Sequence, residues 1–256
     1  MKRLFFRVKF LFVTLVRLFL SVLNGGQSCV ICGESSFLAP LCKKCNSRYF
    51  DVKKSLEKSR CQCCGKELIS TKMTCMQCRE NRVLTKTDKV IPLFSYRLWN
   101  KELLFLWKIK GLRALSFEFA RMVAQALRLS GIEVIVPVPP RKGKIKKNGW
   151  DQIDELCQFL EFWFGFKTFP VLVRNTKTQQ KKLNRSSRLE TIESAYSVIE
   201  NKKLQKELKR FNGLLPEKVC VIDDVCTTGA TLECCAGLLK DLKIKTVIAL
   251  TLFTVD

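Results

Sequence analysis

Val219-Cys220-Val221-Ile222-Asp223-Asp224-Val225-Cys226-Thr227-Thr228-Gly229-Ala230-Thr231 sets two carboxylates between an apolar run and a hydroxyl-rich turn that contains a glycine. The run 219–222 is largely β-branched and follows Pro216, which predicts a strand buried on both faces. Beyond the turn, Leu232, Cys235, Ala236, Leu238 and Leu239 recur at helical spacing, so the turn joins a strand to a helix. Free backbone N–H groups and the positive end of the helix dipole favour a phosphate at such a junction, and Thr227, Thr228 and Thr231 add hydroxyl donors. Asp223 and Asp224 repel a phosphate but accept hydrogen bonds from a vicinal diol, so the stretch has the layout of a sugar-phosphate site. The plainer reading of the same residues is an N-capping turn in an ordinary α/β sheet, with the aspartates at a strand end. Cys226 reads as a small filler in the loop, ahead of a reactive thiol.

Outward from this stretch, strands are predicted at 133–138, 168–173, 218–222 and 245–253, with helices at 151–164 and 230–242. An extended apolar segment at 90–96 and two helical faces separated by Gly111 precede them. Alternation of this kind predicts an α/β fold, a parallel sheet flanked by helices on both faces. One strand ends in Val136-Pro137-Val138-Pro139-Pro140-Arg141-Lys142 and runs into Gly143, Lys144, Lys146 and Lys147. Prolines stiffen that turn and cations crowd it. Alone it is equally well a proline-stiffened exit from an edge strand; beside the sugar-phosphate turn, Val138, Pro139, Pro140, Arg141 and Lys142 suit an anionic leaving group. The strongly basic stretch 177–188 is expected to be a mobile loop or flap.

Fourteen cysteines accompany no histidine, and nine of them fall between Cys29 and Cys78. Cys29-x2-Cys32 with Cys42-x2-Cys45, and Cys61-x2-Cys64 with Cys75-x2-Cys78, are paired knuckles, each pair completing a tetrahedral four-sulfur shell. Structural zinc, two ions in all, is the expectation, ahead of an iron–sulfur cluster, a redox dithiol or a disulfide scaffold. Cys63 is expected to be a spectator, because choosing it would leave a Cys-x-Cys spacing. The formal charge of +23 attracts polyanions without choosing among a phosphorylated sugar, nucleic acid and an acidic membrane surface. Residues 4–23 read as an amphipathic helix whose Arg7, Lys9 and Arg17 interrupt the ~20 apolar residues a span requires. Packing on the rest of the protein is preferred to membrane-surface or partner contact. No cleavable signal is read, and residues 81–89 look like a linker.

The four apolar residues, two acids and closing Thr-Thr-Gly-x-Thr of 219–231 resemble the phosphoribosyl pyrophosphate (PRPP) signature of type I phosphoribosyltransferases. The resemblance implies that Asp223 and Asp224 hold the ribose hydroxyls, with Val225 and the loop Cys226, Thr227, Thr228, Gly229, Ala230, Thr231 wrapping the 5-phosphate. The whole module order is similar to that of ComF-type competence proteins, a double zinc ribbon followed by a phosphoribosyltransferase-like domain. It divides the chain into an N-terminal helix (1–26), the ribbons (27–80) and the phosphoribosyltransferase-like domain (90–256). Lys108-x2-Gly111, the Val-Pro-Val-Pro strand end and the flap residues Thr178, Gln180, Leu183, Arg185 and Arg188 also fit that family. Within Asn148-Gly149-Trp150-Asp151-Gln152, Asn148, Trp150 and Asp151 depart from it, as do Thr191 and Tyr196, while Gln152 fits; Asp151 can equally cap a helix, and Gln152 is as well an exposed first-turn residue as a ligand.

By implication the protein is cytoplasmic, binds PRPP with magnesium, and acts in DNA uptake or recombination with single-stranded DNA and uptake or recombination proteins as partners. An active transferase, with Asp223 or Asp224 assisting as a base, and a zinc-ribbon DNA-binding module with a vestigial PRPP site are the alternatives. Phe37, Tyr49 and Phe50 are the ribbon aromatics available for base stacking.

Overall fold

The computed structural model describes residues 2–23, 27–36, 39–70, 72–175 and 195–255. The flap residues Thr178, Gln180, Leu183, Arg185 and Arg188, together with Thr191 and Phe37, lie outside them. The amino-terminal half carries α1 (Lys2–Leu23), α2 (Lys43–Tyr49), α3 (Val52–Glu57) and α4 (Met76–Glu80). Next come β1 (Lys89–Ser95), α5 (Trp99–Lys108), α6 (Ala114–Leu129), β2 (Val134–Pro137), α7 (Lys144–Asn148), α8 (Gln152–Phe162), β3 (Lys167–Thr168) and β4 (Leu172–Arg174). The chain closes with β5 (Tyr196–Val198), α9 (Asn201–Leu208), β6 (Lys218–Cys226), α10 (Ala230–Asp241) and β7 (Thr246–Thr254).

Five parallel strands form the central sheet in the order β1-β7-β6-β2-β3. The expected α/β fold with a helix-flanked parallel sheet, preceded by a cysteine-rich module, is therefore what the chain forms. Val219, Val221 and Ile222 of β6 are fully buried, as a strand covered on both faces requires. After β2 the chain moves outward to β3, whereas after β6 it moves the other way to β7. Neighbouring strands β2 and β6 thus diverge, and open α/β sheets bind ligands in the crevice such a switch leaves at the strands' carboxyl ends.

The predicted strand 168–173 is in fact two elements. β3 pairs with β2, but Pro170 intervenes and β4 leaves the sheet to pair antiparallel with β5, Arg174 facing Tyr196. A network on the other side of the cleft fixes α5, α6 and α8: the fully buried Trp107 donates from Nε1 to Ser116 Oγ at 2.8 Å, and Ser116 and Arg113 both donate to Glu155. α1 forms as expected, and its Phe6 and Phe10 stack on Phe159, Phe162, Phe117 and Trp163 while Arg7 Nε donates to Phe162 O at 2.9 Å. Its other face leaves Leu4, Phe5, Phe12, Leu15 and Phe19 exposed. No described helix is long and apolar enough to cross a membrane.

The segment 81–89 is not a free tether. Leu84 is buried, and the Glu233 carboxylate accepts from the backbone or side chains of Thr85, Lys86 and Thr87. Strand β1 is an edge strand, and the cysteine module lies on it. Arg60 Nη2 donates to Leu93 O at 3.3 Å, and a Cβ on Gly65, whose φ is +72°, would stand 2.3 Å from Pro92 Cδ.

Candidate functional site: a cation-walled cleft and two four-cysteine centres

The loops after β2 and β6 face each other across a cleft of about 970 Å3. At its floor, where β6 ends, Asp224 is buried and Asp223 half-buried, and Asp223 Oδ1 accepts from Asp224 N at 2.8 Å. Lys108, next in sequence to the locked Trp107, donates from Nζ to Asp224 Oδ2 at 2.5 Å. Gln152 Nε2 donates to the same oxygen at 2.9 Å, and its Oε1 accepts from Lys144, which also pairs with Asp151 at 2.6 Å. Burial alone would lower the Lys108 ammonium, but Asp224, Asp223 and Asp151 hold it above its ordinary value. Asp223 goes the other way: desolvation and the adjacent Asp224 carboxylate push it up to about 7, with Lys108 opposing.

The turn after β6 provides the second face. Thr227 and Thr228 are exposed at the cleft, Gly229 adopts φ +81°, and α10 begins at Ala230. Its position demands glycine twice, because the left-handed backbone disfavours a side chain and a Cβ would lie 3.0 Å from Leu84 Cδ2. Cys226 is buried beneath the loop, and burial pushes its thiol up to about 11, in keeping with the filler reading. Across the cleft, Val138, Pro139, Pro140, Arg141 and Lys142 line the opposite wall. Burial and the nearby Arg174 guanidinium hold Arg141 below its ordinary value. Arg141 and Arg174 both line the cleft and neither has an ion pair among the described residues, an arrangement that suits an anion.

Arg174 escaped the sequence reading because it sits at the end of an unremarkable strand. The antiparallel pairing of β4 with β5 sets its Cζ 5.3 Å from the Tyr196 ring, and its buried Nε has no partner among the described residues. Burial drives the Tyr196 phenol up to about 12 against Arg174 and a Thr231 hydrogen bond. Gln152 proves to be buried at the cleft and bonded to Asp224, which removes the exposed-residue reading. Asp151 caps α8 by accepting from Ile153 N and Asp154 N, as its position suggested.

The two expected cysteine sets also come together. Cys29, Cys32, Cys42 and Cys45 form one group and Cys61, Cys64, Cys75 and Cys78 the other, with the sulfurs of each group within 4.8 Å of one another. Cys32 and Cys42 Sγ stand 3.7 Å apart, as do Cys64 and Cys75. A tetrahedral zinc with bonds of about 2.3 Å requires sulfurs about 3.8 Å apart, so both groups are compatible with structural zinc. Backbone N–H groups of Cys45 and Cys75 point at Cys42 and Cys61 Sγ. None of the fourteen cysteines is in a disulfide, and Cys63 lies outside both groups. Of the ribbon aromatics, Phe50 is no stacking platform, being buried against Phe94.

Fold and site define an α/β protein with a cation-walled cleft at the switch point of a parallel sheet and two four-cysteine groups, compatible with structural zinc, ahead of it. No family model matches the chain. The chain is 25% identical over 241 residues to competence protein ComFC of Streptococcus pneumoniae, covering 86% of this chain and 97% of that protein. It is 26% identical over 194 residues to competence protein F of Haemophilus influenzae, covering 72% of this chain and 80% of that one. The ComF-type resemblance read from the motifs is thereby borne out over most of the chain.

Proposed function

We propose that this is a ComF-type protein that binds PRPP in the cleft, with magnesium carried on the ligand's pyrophosphate and diol, and that serves DNA uptake or recombination in the cytoplasm. The observation that carries the PRPP reading is the spacing of unlike charges across one cleft. Asp223 and Asp224 suit a ribose diol, the turn 227–231 suits its 5-phosphate, and Arg141 with Arg174 suits a pyrophosphate on the opposite wall. The role in DNA uptake rests on the names of the two relatives and on the +23 charge, which suits single-stranded DNA as a partner.

One observation favours turnover as a second reading. A carboxyl held near 7 is suited to accept a proton at neutral pH, and Asp223 is such a group in a chain without histidine. In that reaction a nitrogen nucleophile bonds to C1 of the ribose, the C1–O bond to pyrophosphate breaks, and the nitrogen's proton passes to Asp223. Positioning and electrostatics supply the acceleration, with no covalent intermediate. Calorimetric titration of zinc-loaded protein with PRPP and magnesium tests the binding, with saturable one-to-one heat expected. Absence of heat at millimolar PRPP overturns it, and a screen of acceptors for pyrophosphate release on the same sample decides the second reading.

A further inference from the structure

Residues 79–88 link the last cysteine of the second group to the sheet, and they contact both the turn after β6 and the first turn of α10 that follows it. Leu84 is buried, and its side chain closes on Gly229 from below. Glu233, in the first turn of α10, grips the same strap with both oxygens. Its Oε1 accepts from Thr85 N at 2.7 Å, Thr85 Oγ1 at 2.6 Å and Lys86 N at 2.5 Å, and its Oε2 from Thr87 N at 3.1 Å and Thr87 Oγ1 at 3.0 Å. The carboxylate's charge is thus taken up by the strap and not turned towards the cleft. On the module side, Cys64, Cys78, Cys226 and Thr227 enclose a gap of only about 30 Å3, room for one water. Cys64 also packs on the apolar cluster that holds Leu84, Cys226 and Ala230. Among the described residues the first cysteine group shows no such contact: Cys29 and Cys45 belong with Phe50, Val52 and Phe94 to a different cluster of the core.

We propose that Leu84 and Glu233 are positioning residues for the loop 226–231, and that through them metal binding at the second cysteine group and anion binding in the cleft are thermodynamically linked. Metal ordering the second knuckle fixes the strap, and the strap fixes the turn whose amides receive the anion. Linkage is reciprocal, so an anion in the cleft must also tighten the hold on that one metal and leave the other unaffected. The ligand arm of this inference rests on the PRPP reading; the backbone arm does not.

Three measurements on full-length, zinc-loaded protein test it. Amide hydrogen exchange in residues 226–231 is compared between Cys75→Ser, which removes a ligand of the second group, and Cys32→Ser, which removes one of the first. Exchange in the loop rises about tenfold in the former alone, and Leu84→Ala, which retains both zinc ions, raises it too. Calorimetry of Leu84→Ala shows PRPP bound about five- to tenfold more weakly, and PRPP slows the release of one of the two zinc ions to a chromophoric chelator by a similar factor. Equal loop exchange in both cysteine variants, with no change in Leu84→Ala, overturns the linkage, as does PRPP slowing both zinc ions alike or neither. If wild-type protein binds no PRPP, the PRPP reading fails, and the exchange comparison alone still decides the linkage.

Discussion

Replacing Asp223 with asparagine is expected to stabilise the fold while it weakens the site. The Asp223 carboxyl is raised from 3.8 to about 7, chiefly by desolvation and then by Asp224. Between those values the folded protein holds a proton that the unfolded chain has released, so this group's contribution to stability falls as pH rises through 7. Asparagine keeps an oxygen to accept from Asp224 N and has no charge to bury. A shift of about 3 units sets a ceiling near 4 kcal/mol, at about 1.4 kcal/mol per unit. Asp223 is only half-buried, and solvent screening brings the expected gain at pH 8 to about 1–2 kcal/mol. In a chain of this size that raises Tm by roughly 3–6 °C at pH 8 and by almost nothing at pH 4. PRPP affinity falls about tenfold to a hundredfold in the same variant, since a charge-assisted hydrogen bond to the diol is worth about 1.5–3 kcal/mol. Calorimetric melting at the two pH values, at fixed zinc, and titration with PRPP read both effects. A Tm at pH 8 that is unchanged or lower, or an equal gain at both pH values, would refute the account of a carboxylate strained for function.

If the guanidiniums hold the pyrophosphate as proposed, Arg141→Ala and Arg174→Ala should each weaken PRPP by about tenfold or more and leave ribose 5-phosphate almost unaffected; equal losses for both ligands in a titration would reassign the wall. Purified protein should carry close to two zinc ions per chain, unchanged by Cys63→Ser, and metal analysis finding iron or a single equivalent would redraw the ligand sets. Single-stranded DNA, if held by phosphates, should show a log–log salt slope of about −0.7 per neutralised phosphate. Neutralising Lys181, Lys182, Arg185 and Arg188 together should flatten that slope, and a filter-retention assay with no binding at low salt would remove DNA from the list of partners.

The strand and turn around Asp223 were legible because burial on both faces, acid placement and the left-handed glycine each leave a local mark on residue choice. The cysteine groups were legible for the same reason, since a four-sulfur shell dictates its own spacing. Arg174 left no such mark, and Gln152 left only an even choice between an exposed residue and a ligand. One reaches the cleft only because Pro170 turns β4 out of the central sheet into an antiparallel pair, and the other because α8 is docked by the Glu155 network. Both are consequences of tertiary placement, which no window of neighbours encodes. Residues 81–89 misled for a related reason: their polar side chains suggest solvent, but the partner that satisfies them, Glu233, lies about 150 positions further along.

Strand β1 reads Lys-Val-Ile-Pro-Leu-Phe-Ser and has a sheet neighbour on one side only. Its free side is guarded by Pro92 within the strand, by the knuckle at Gly65, and by Ser55 and Arg60, which both donate to Leu93 O. Losing that metal therefore does more than loosen a small module. It loosens part of the cover of an apolar strand edge able to pair with another chain, so metal-starved protein should aggregate faster on heating than zinc-loaded protein.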